Sequence, residues 1–172
     1  MVTHRFAVDK MLGRLATWLR LIGCDTTYGS HLAGSSLIRH ARTEARTILT
    51  RDHRVLRAAT GLSVLFIASN DFRQQLCQVI HACHLDPFAA LFTRCTACNT
   101  PVAVVLKAQV EDQVPAYVFA THEGFARCPS CHRIYWPGTH DDRVREQLRL
   151  MGYEPQPADL GPDDPSSEPH VV

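Results

Sequence analysis

The sequence contains no hydrophobic run long enough to cross a membrane. No apolar stretch reaches the roughly 18 residues that a membrane-spanning helix requires. The segment from Met1 to Arg5 lacks the apolar region of a secretory signal and leads directly into a strand-like stretch. These absences predict a cytoplasmic protein without a membrane segment.

Several common catalytic motifs are missing as well. The chain has no glycine-rich phosphate loop, no G-x-S-x-G turn and no H-E-x-x-H helix, although it contains ten histidines. No local signature indicates a nucleophilic cysteine. Any catalytic chemistry is therefore expected to depend on residues outside these motifs and not on a cysteine nucleophile.

Lysine is scarce, since only Lys10 and Lys107 among the 18 basic residues are lysines. Arginine is the side chain best suited to bidentate contacts with phosphate. The formal net charge is only +1, but residues 153–172 contain acids and no lysine or arginine, so residues 1–152 are clearly basic. This arginine-rich body is compatible with nucleic acid as a partner, and an ordinary solvated surface is the alternative.

Four of the seven cysteines form two C-x-x-C pairs, Cys95 with Cys98 and Cys128 with Cys131. Each pair offers two sulfurs from one tight turn, and two pairs satisfy the tetrahedral preference of Zn²⁺. Residues 99–127 separate the pairs, which exceeds the usual spacing and predicts a longer β-hairpin between them. Four thiolates leave no open coordination position, so this zinc is predicted to be structural.

Short strands alternate with amphipathic helices in the first half of the chain, within a domain predicted to span residues 1–88. The predicted strands are 5–8, 25–28, 47–50 and 63–67, and the predicted helices are 10–22, 36–45, 53–59 and 72–83. This alternation predicts a three-layer α/β/α sandwich around a parallel sheet. Met11 is placed on the apolar face of the first helix, and Ser35 or Ser36 is expected to cap the second.

Residues 93–152 are predicted to form a small β zinc ribbon followed by a C-terminal helix. Strands are expected at 102–106, 114–120 and 134–136, and the helix is expected to begin near Asp141 and run to about residue 151. Residues 153–172 are acidic and rich in proline, so they are predicted to be a disordered tail.

Three aspartates follow predicted strands: Asp9, Asp52 and Asp71. Ligands bind outside the carboxyl ends of the strands in an open parallel sheet. Carboxylates gathered there would repel one another without a hard cation, and Mg²⁺ or Mn²⁺ with several waters suits such a site. The chemistry this predicts is phosphodiester cleavage. The alternative is that each acid simply caps the helix that follows it.

Basic residues accompany these acids. Lys10, Arg14, Arg20 and Arg51 lie within a turn or two of them, and Arg14 is one helical turn beyond Lys10. Contacts of this kind position a phosphate backbone without reading its sequence. The cluster therefore predicts an RNA-binding surface beside the acids.

Two sets of residues resemble a known family. The first is Phe6-x-x-Asp9-x-Met11-Leu12-Gly13-Arg14-Leu15-Ala16-x-Trp18-Leu19-Arg20-x-x-Gly23-x-Asp25, followed by Leu49-Thr50-Arg51-Asp52. The second is Arg94-Cys95-x-x-Cys98-Asn99, then Phe125-x-x-Cys128-x-x-Cys131 and Tyr135-Trp136-x-Gly138-x-His140. In order and spacing these residues resemble the PIN-like RNase family of the Mut-seven C-terminal type, which carries a zinc ribbon.

The resemblance implies a PIN-like fold and a metal-dependent ribonuclease in which Asp9 and Asp52, with Asp71, form the catalytic centre. The ribbon would assist RNA binding, and tRNA, rRNA or the ribosome are candidate partners. Ser35 stands where the family usually has an acid at the start of the second helix. This departure leaves open an alternative, namely an RNA- or ribosome-binding protein with weak or no catalysis.

Overall fold

Residues 4–155 are described in a computed structural model, and most of the predicted tail, from residue 156 onward, lies outside the described residues. The strands are β1 Arg5–Val8, β2 Asp25–Tyr28, β3 Thr47–Thr50, β4 Val64–Phe66, β5 Ala103–Val105, β6 Phe125–Arg127 and β7 Ile134–Tyr135. The helices are α1 Gly13–Leu21, α2 Gly34–Thr43, α3 His53–Ala58, α4 Phe72–Cys83, α5 Ala116–Thr121 and α6 Thr139–Leu150. The predicted mixed α/β fold is confirmed.

The first four strands form one parallel sheet in the order β2-β1-β3-β4. Strand residues alternate between its two faces, so Phe6 and Val8 pack with α1 and α4 while Ala7 packs with α2 and α3. Both faces are covered, which explains the nearly continuous apolar character of β1 and β3. This part of the chain, residues 4–88, is called the sheet domain below.

Two local details of the helices differ from the sequence prediction. Met11 is 66% exposed because residues 10–12 form a 3₁₀ turn that directs this side chain away from the core. The second helix begins at Gly34, and its N-cap is Ala33 and not a serine. Ser36 instead lies inside the first turn and accepts a hydrogen bond from the Ala33 amide at 3.1 Å.

The ribbon, residues 93–138, contains an antiparallel sheet in the order β5-β6-β7. The strands predicted at 102–106 and 134–136 are confirmed, but the strand predicted at 114–120 is wrong. A 3₁₀ turn at Glu111–Gln113 and helix α5 occupy that region instead. The reason is packing, since Val118 of α5 belongs to the same apolar cluster as Phe125, together with Val110 and Val114 from the preceding segment.

Helix α6 packs on the sheet domain, although the sequence prediction grouped it with the ribbon. Val144 and Leu148, one turn apart, are buried in the same cluster as Leu15 and Leu76. The chain thus returns from the ribbon to cover α1 and α4.

The turn of the first cysteine pair, residues 95–99, is called the first zinc turn below and docks against the free edge of β2. The Asn99 side chain accepts a hydrogen bond from the Thr26 amide at 2.8 Å and donates one to Asp25 at 2.7 Å. Gly23 is required nearby, because its φ is +86° and a Cβ at this position would overlap the Ala90 carbonyl.

Asp25 is expected to make stability depend on acidic pH. Burial opposes its ionisation, but hydrogen bonds from Arg46 and Asn99 outweigh this and hold its pKa below the ordinary value. A carboxylate with a depressed folded-state pKa contributes stability above its unfolded pKa of about 3.9, and this contribution is lost as the pH falls through the folded-state pKa. The Asp25→Asn protein should therefore be less stable than the native protein at neutral pH, by a margin that shrinks in acid.

Urea unfolding at neutral pH and at about pH 3 measures this difference. Asp112→Asn, which changes an exposed carboxylate in the ribbon, is the matched control and should show no such pattern. A stability difference for Asp25→Asn that is equal at both pH values would contradict the assignment.

The longest helices of the described part, α4 and α6, have 12 residues each. Within residues 4–155, none of the helices has the length and apolar character that crossing a membrane requires.

Candidate active site and metal centre

The carboxyl edge of the parallel sheet, where β1 to β4 end, contains a topological switch point. After β1 the chain enters α1 on one face of the sheet, and after the adjacent β3 it enters α3 on the other face. Such a point opens a crevice between the two strand ends, and ligands of open α/β sheets bind there. Asp9 directly follows β1, and Arg51 and Asp52 directly follow β3.

Asp9 lies in this crevice and is only 3% exposed. Its backbone amide donates to the Leu49 carbonyl at 3.0 Å, which extends the pairing of β1 with β3. Its carboxylate accepts a hydrogen bond from the Thr50 hydroxyl at 2.8 Å, the sole hydrogen bond to this carboxylate within residues 4–155. A carboxylate has about four acceptor positions, so Asp9 keeps capacity for a cation.

Asp52 is the N-cap of α3 and forms an ion pair with Arg54. Its carboxylate accepts hydrogen bonds from the Arg54 amide at 2.8 Å and from the Arg54 guanidinium at 3.2 Å. These bonds hold the pKa of Asp52 below its ordinary value, so it is ionised at neutral pH. The capping role that the sequence left as an alternative is thus present.

Asp71 likewise caps a helix. Its carboxylate accepts hydrogen bonds from the Arg73 and Gln74 amides, at 3.0 and 3.1 Å, at the start of α4. It follows β4 by several residues, on the α4 side of the edge.

The structure links two of the three aspartates through one hydroxyl. Thr50 donates to Asp9 and also accepts a hydrogen bond from the Asp52 amide at 3.0 Å. Within the described residues, the only group of three or more potential metal-binding side chains whose ligand atoms lie within 4.8 Å of one another is the cysteine cluster. The three aspartates therefore share an edge without forming so compact a group.

The chemistry of the donors at this edge fits Mg²⁺ or Mn²⁺. Mg²⁺ is commonly bound by one or two carboxylates while it keeps several waters, and Asp9 and Asp52 supply this number at neighbouring strand ends. Arg54 already neutralises Asp52, so metal binding through Asp52 would require the Arg54 side chain to move away. Its exposed fraction of 85% leaves it room to do so.

The predicted basic residues occupy two different environments. Lys10 and Arg14 are exposed on the α1 side of Asp9, and Arg51 is half-buried between Thr50 and Asp52. Arg20 is 6% exposed, and its guanidinium donates to the carbonyls of Thr26, Thr96 and Ala97 at 2.9 to 3.0 Å. Arg20 thereby joins α1 to the first zinc turn and has no surface to offer RNA.

The four cysteines converge as their spacing predicts, with their sulfur atoms within 4.8 Å of one another. The Cys98 and Cys128 sulfurs lie 3.3 Å apart, and those of Cys95 and Cys131 lie 3.6 Å apart. Four sulfurs at this separation fit a tetrahedral Zn²⁺ site. Cys95 and Cys128 are buried and Cys98 and Cys131 are exposed, so the site lies at the ribbon surface.

Polar groups around the first cysteine pair, Cys95 and Cys98, favour the thiolate form of these two residues. Contacts with the side chain and backbone of Thr100 lower the pKa of Cys98 to about 6. The Tyr135 hydroxyl donates to the Cys95 sulfur at 3.0 Å. Because the thiolate is the form that binds metal, these contacts support the zinc assignment.

Thr50 and Asn99 carry contacts that the sequence analysis missed. The hydroxyl of Thr50 links Asp9 to Asp52. The only sequence signal for this role is that Thr50 is a polar β-branched residue at the end of an apolar strand, just before Arg51. Asn99 follows the first cysteine pair with φ of +70°, a conformation that asparagine tolerates better than most residues.

Among known protein families, the Mut7-C RNAse domain matches residues 4–154. The match covers the sheet domain, the ribbon and α6 together. Neither the curated proteins nor the solved structures contain a match to the chain.

Proposed function

The chain belongs to the Mut7-C RNAse domain family, and from that premise we propose that it is a metal-dependent ribonuclease that hydrolyses RNA phosphodiester bonds. One observation carries this proposal. Asp9 is buried at the switch point of the sheet, accepts its hydrogen bond from Thr50, and neighbours the ionised Asp52. A buried carboxylate with unused acceptor positions is costly unless a positive partner completes it.

Asp9 and Asp52 would hold the ion, with Asp71 as a further acid on the α4 side of the edge. A Mg²⁺ or Mn²⁺ ion there would polarise the scissile phosphate and favour ionisation of the attacking water. The exposed side chains of Lys10 and Arg14, with Arg51, would bind neighbouring phosphates and hold the strand across the edge.

The ribbon would assist RNA binding while its Zn²⁺ keeps a structural role. Its exposed His132 and Arg133 follow the second cysteine pair and form a small basic surface. The zinc turn also reaches the sheet domain through Arg20, so the ribbon is held in a defined position relative to α1.

The direct test is cleavage of an end-labelled single-stranded RNA by the zinc-loaded full-length chain. We expect cleavage with added Mn²⁺ or Mg²⁺ and none without it, because the aspartates would supply the ligands of the ion. Urea gels over a time course, with Ca²⁺ as a comparison ion, measure this. Cleavage at an equal rate without any added divalent ion would contradict the metal-dependent mechanism.

A second function, RNA or ribosome binding without catalysis, is favoured by Ser35. This residue is exposed in the first turn of α2, where the family usually has an acid, and Asp52 is already paired with Arg54. The cleavage assay, combined with a measurement of RNA binding, separates the two functions. A protein that binds RNA in a salt-sensitive manner but leaves it intact with every ion would be of the second kind, with tRNA, rRNA or the ribosome as its partners.

A further inference from the structure

A cleft of about 560 Å³ lies beside the carboxyl edge, between α1, α4 and α6. Its walls include Arg14 and Trp18 from α1, Phe72 and Arg73 from α4, and Arg143 from α6. The volume is within the range of roughly 300–1,000 Å³ typical of ligand sites.

The floor of the cleft holds two guanidinium groups in place. The Arg14 guanidinium lies 3.7 Å from the Phe72 ring centroid, and that of Arg73 lies 4.8 Å from it. Arg73 also donates to the Gln147 side chain at 2.6 Å, which ties α4 to α6. Stacking on an aromatic ring fixes the plane of Arg14 and leaves its N–H groups free to donate.

Two arginines of the cleft have donors without a protein acceptor. In the described part of the chain, neither Arg14 nor Arg143 donates a side-chain hydrogen bond or forms an ion pair. Asp142 and Glu146 also line the cleft, so three arginines and two acids leave it with a small positive excess. This small excess of positive charge is not sufficient by itself to identify the cleft as a nucleic-acid site.

Trp18 supplies the second element that a nucleotide requires. Its ring is half-buried, 5.6 Å from the Phe72 ring and tilted by 32°, and it lines the cleft. Phosphate-binding cations beside an aromatic stacking surface are the pattern by which proteins bind single-stranded nucleic acid.

The cleft adjoins the candidate active site along two helices. Arg14 lies in the first turn of α1, shortly after Asp9, and Phe72 directly follows Asp71. The cleft therefore includes residues from the N-terminal ends of α1 and α4, where Asp9 and Asp71 also lie.

We propose that the cleft between α1, α4 and α6 is a single-stranded RNA subsite, in which Trp18 stacks on a base and Arg14 and Arg143 bind the adjoining phosphates. The proposal rests on the proposed RNA-binding function and places α6 in the nucleic-acid site. The RNA chain would then run from the carboxyl edge toward α6, and the cleft would hold a nucleotide next to the cleaved bond.

Tryptophan fluorescence tests this subsite without catalysis. The chain has two tryptophans, Trp18 and Trp136, so Trp136→Phe leaves Trp18 as the only emitter and Trp18→Phe leaves Trp136 in the ribbon. The protein used is the zinc-loaded full-length chain with Asp9→Asn, and it is titrated with a short single-stranded RNA. The RNA should quench Trp18 emission. The quenching should occur over the same concentrations at which the fluorescence anisotropy of labelled RNA reports binding. Binding by anisotropy with unchanged Trp18 emission would overturn the subsite and leave the proposed function standing.

A pair of charge variants on one helix provides the matched comparison. Arg143→Gln should weaken RNA binding about five- to tenfold and lower the slope of log K against log salt by about 0.7, as expected for one lost phosphate contact to a single strand. Arg149→Gln removes the same charge from α6 outside the cleft and should change neither. Equal losses in both variants would overturn the proposal, because only general charge would then matter. A chain that binds no RNA in any assay would contradict the proposed function itself.

Discussion

Replacing Asp9 with asparagine is expected to reduce metal-dependent RNA cleavage by at least about 100-fold, a loss of roughly 2.7 kcal/mol in transition-state stabilisation. Asparagine has the shape of aspartate, and its amide oxygen can still accept the hydrogen bond that Thr50 donates at 2.8 Å. It lacks the negative charge that binds a hard cation. The substitution therefore removes the metal-binding group and preserves the packing around it.

The assay is single-turnover cleavage of labelled RNA over a range of Mn²⁺ concentrations. Folding is checked by thermal unfolding and RNA affinity by anisotropy, and both should remain near those of the native protein. Asp86→Asn changes an exposed carboxylate elsewhere on the sheet domain and is the matched control. Native activity of Asp9→Asn at saturating Mn²⁺ would show that the edge carboxylate is not a ligand of the catalytic ion.

Asp71→Asn belongs in the same series because it separates two roles. Asparagine caps helices about as well as aspartate, so the two amide hydrogen bonds at the start of α4 should persist. A fall in cleavage comparable to that of Asp9→Asn would identify Asp71 as a third ligand. Full activity would restrict Asp71 to capping.

The elements of the sheet domain were predictable because local and long-range signals agree in them. Helix α4 occupies the predicted residues 72–83, since its apolar positions recur at helical spacing and Asp71 marks its start. Strands β1 and β3 are buried on both faces and are accordingly apolar runs of the right length. Where pattern, cap and length point to one structure, one sequence is sufficient.

Helix α5 shows why the ribbon was less predictable. The segment 114–120 is rich in valine and aromatic residues, which favour strands. In the structure, however, Val110, Val114 and Val118 belong to one apolar cluster with Phe125. The zinc site fixes the ends of this insertion, so packing against β6 decides its conformation. Strand propensity is a weak guide when the partner surface is unknown.

Arg20 and α6 show the same limit for tertiary contacts. Arg20, predicted to bind RNA, lies one turn beyond Ala16 on the buried side of α1. Its acceptors Thr96 and Ala97 are more than 70 residues away in sequence. Nothing local could identify them, and likewise nothing local could show that Val144 and Leu148 pack on α1 and α4.

The candidate active site was predictable to the level of its elements. The rule that ligands bind at the carboxyl ends of parallel strands led to Asp9, Asp52 and Asp71. The hydroxyl bridge of Thr50 and the pairing of Asp52 with Arg54 depend on side-chain positions that no spacing rule contains. The cysteine pairs were predictable in full, because C-x-x-C spacing itself encodes the turn that presents two sulfurs.

Removal of zinc is expected to unfold the ribbon and to loosen one edge of the sheet domain. Structural zinc sites contribute apparent binding energies of about 10–16 kcal/mol in small zinc domains, and the ribbon has only a small apolar core around Phe125. Cys95→Ser should therefore abolish the binding of one zinc ion per chain and unfold residues 93–138. Cys83→Ser, which alters a cysteine outside the cluster, should keep the zinc and is the matched control.

The effect on the sheet domain follows from the contacts of the first zinc turn. Its carbonyls accept hydrogen bonds from the buried Arg20, and Asn99 accepts one from the Thr26 amide on the edge strand. Once the turn loses its fold, the buried guanidinium loses two of its three acceptors and the Thr26 amide loses its partner. Each lost hydrogen bond removes a contribution of about 0.5–1.5 kcal/mol from this edge, so β2 should open more often.

Hydrogen exchange at single amides measures this coupling. In the zinc-free protein the Thr26 amide should exchange at least about tenfold faster. The Ile48 amide of the interior strand β3, which donates to the carbonyl of Ser63 just before β4, should keep its protection. Unchanged exchange at Thr26 after zinc removal would mean that the ribbon and the sheet domain fold independently. Faster exchange at Thr26 with unchanged protection at Ile48 would show that the zinc supports the edge of the sheet domain on which the ribbon docks.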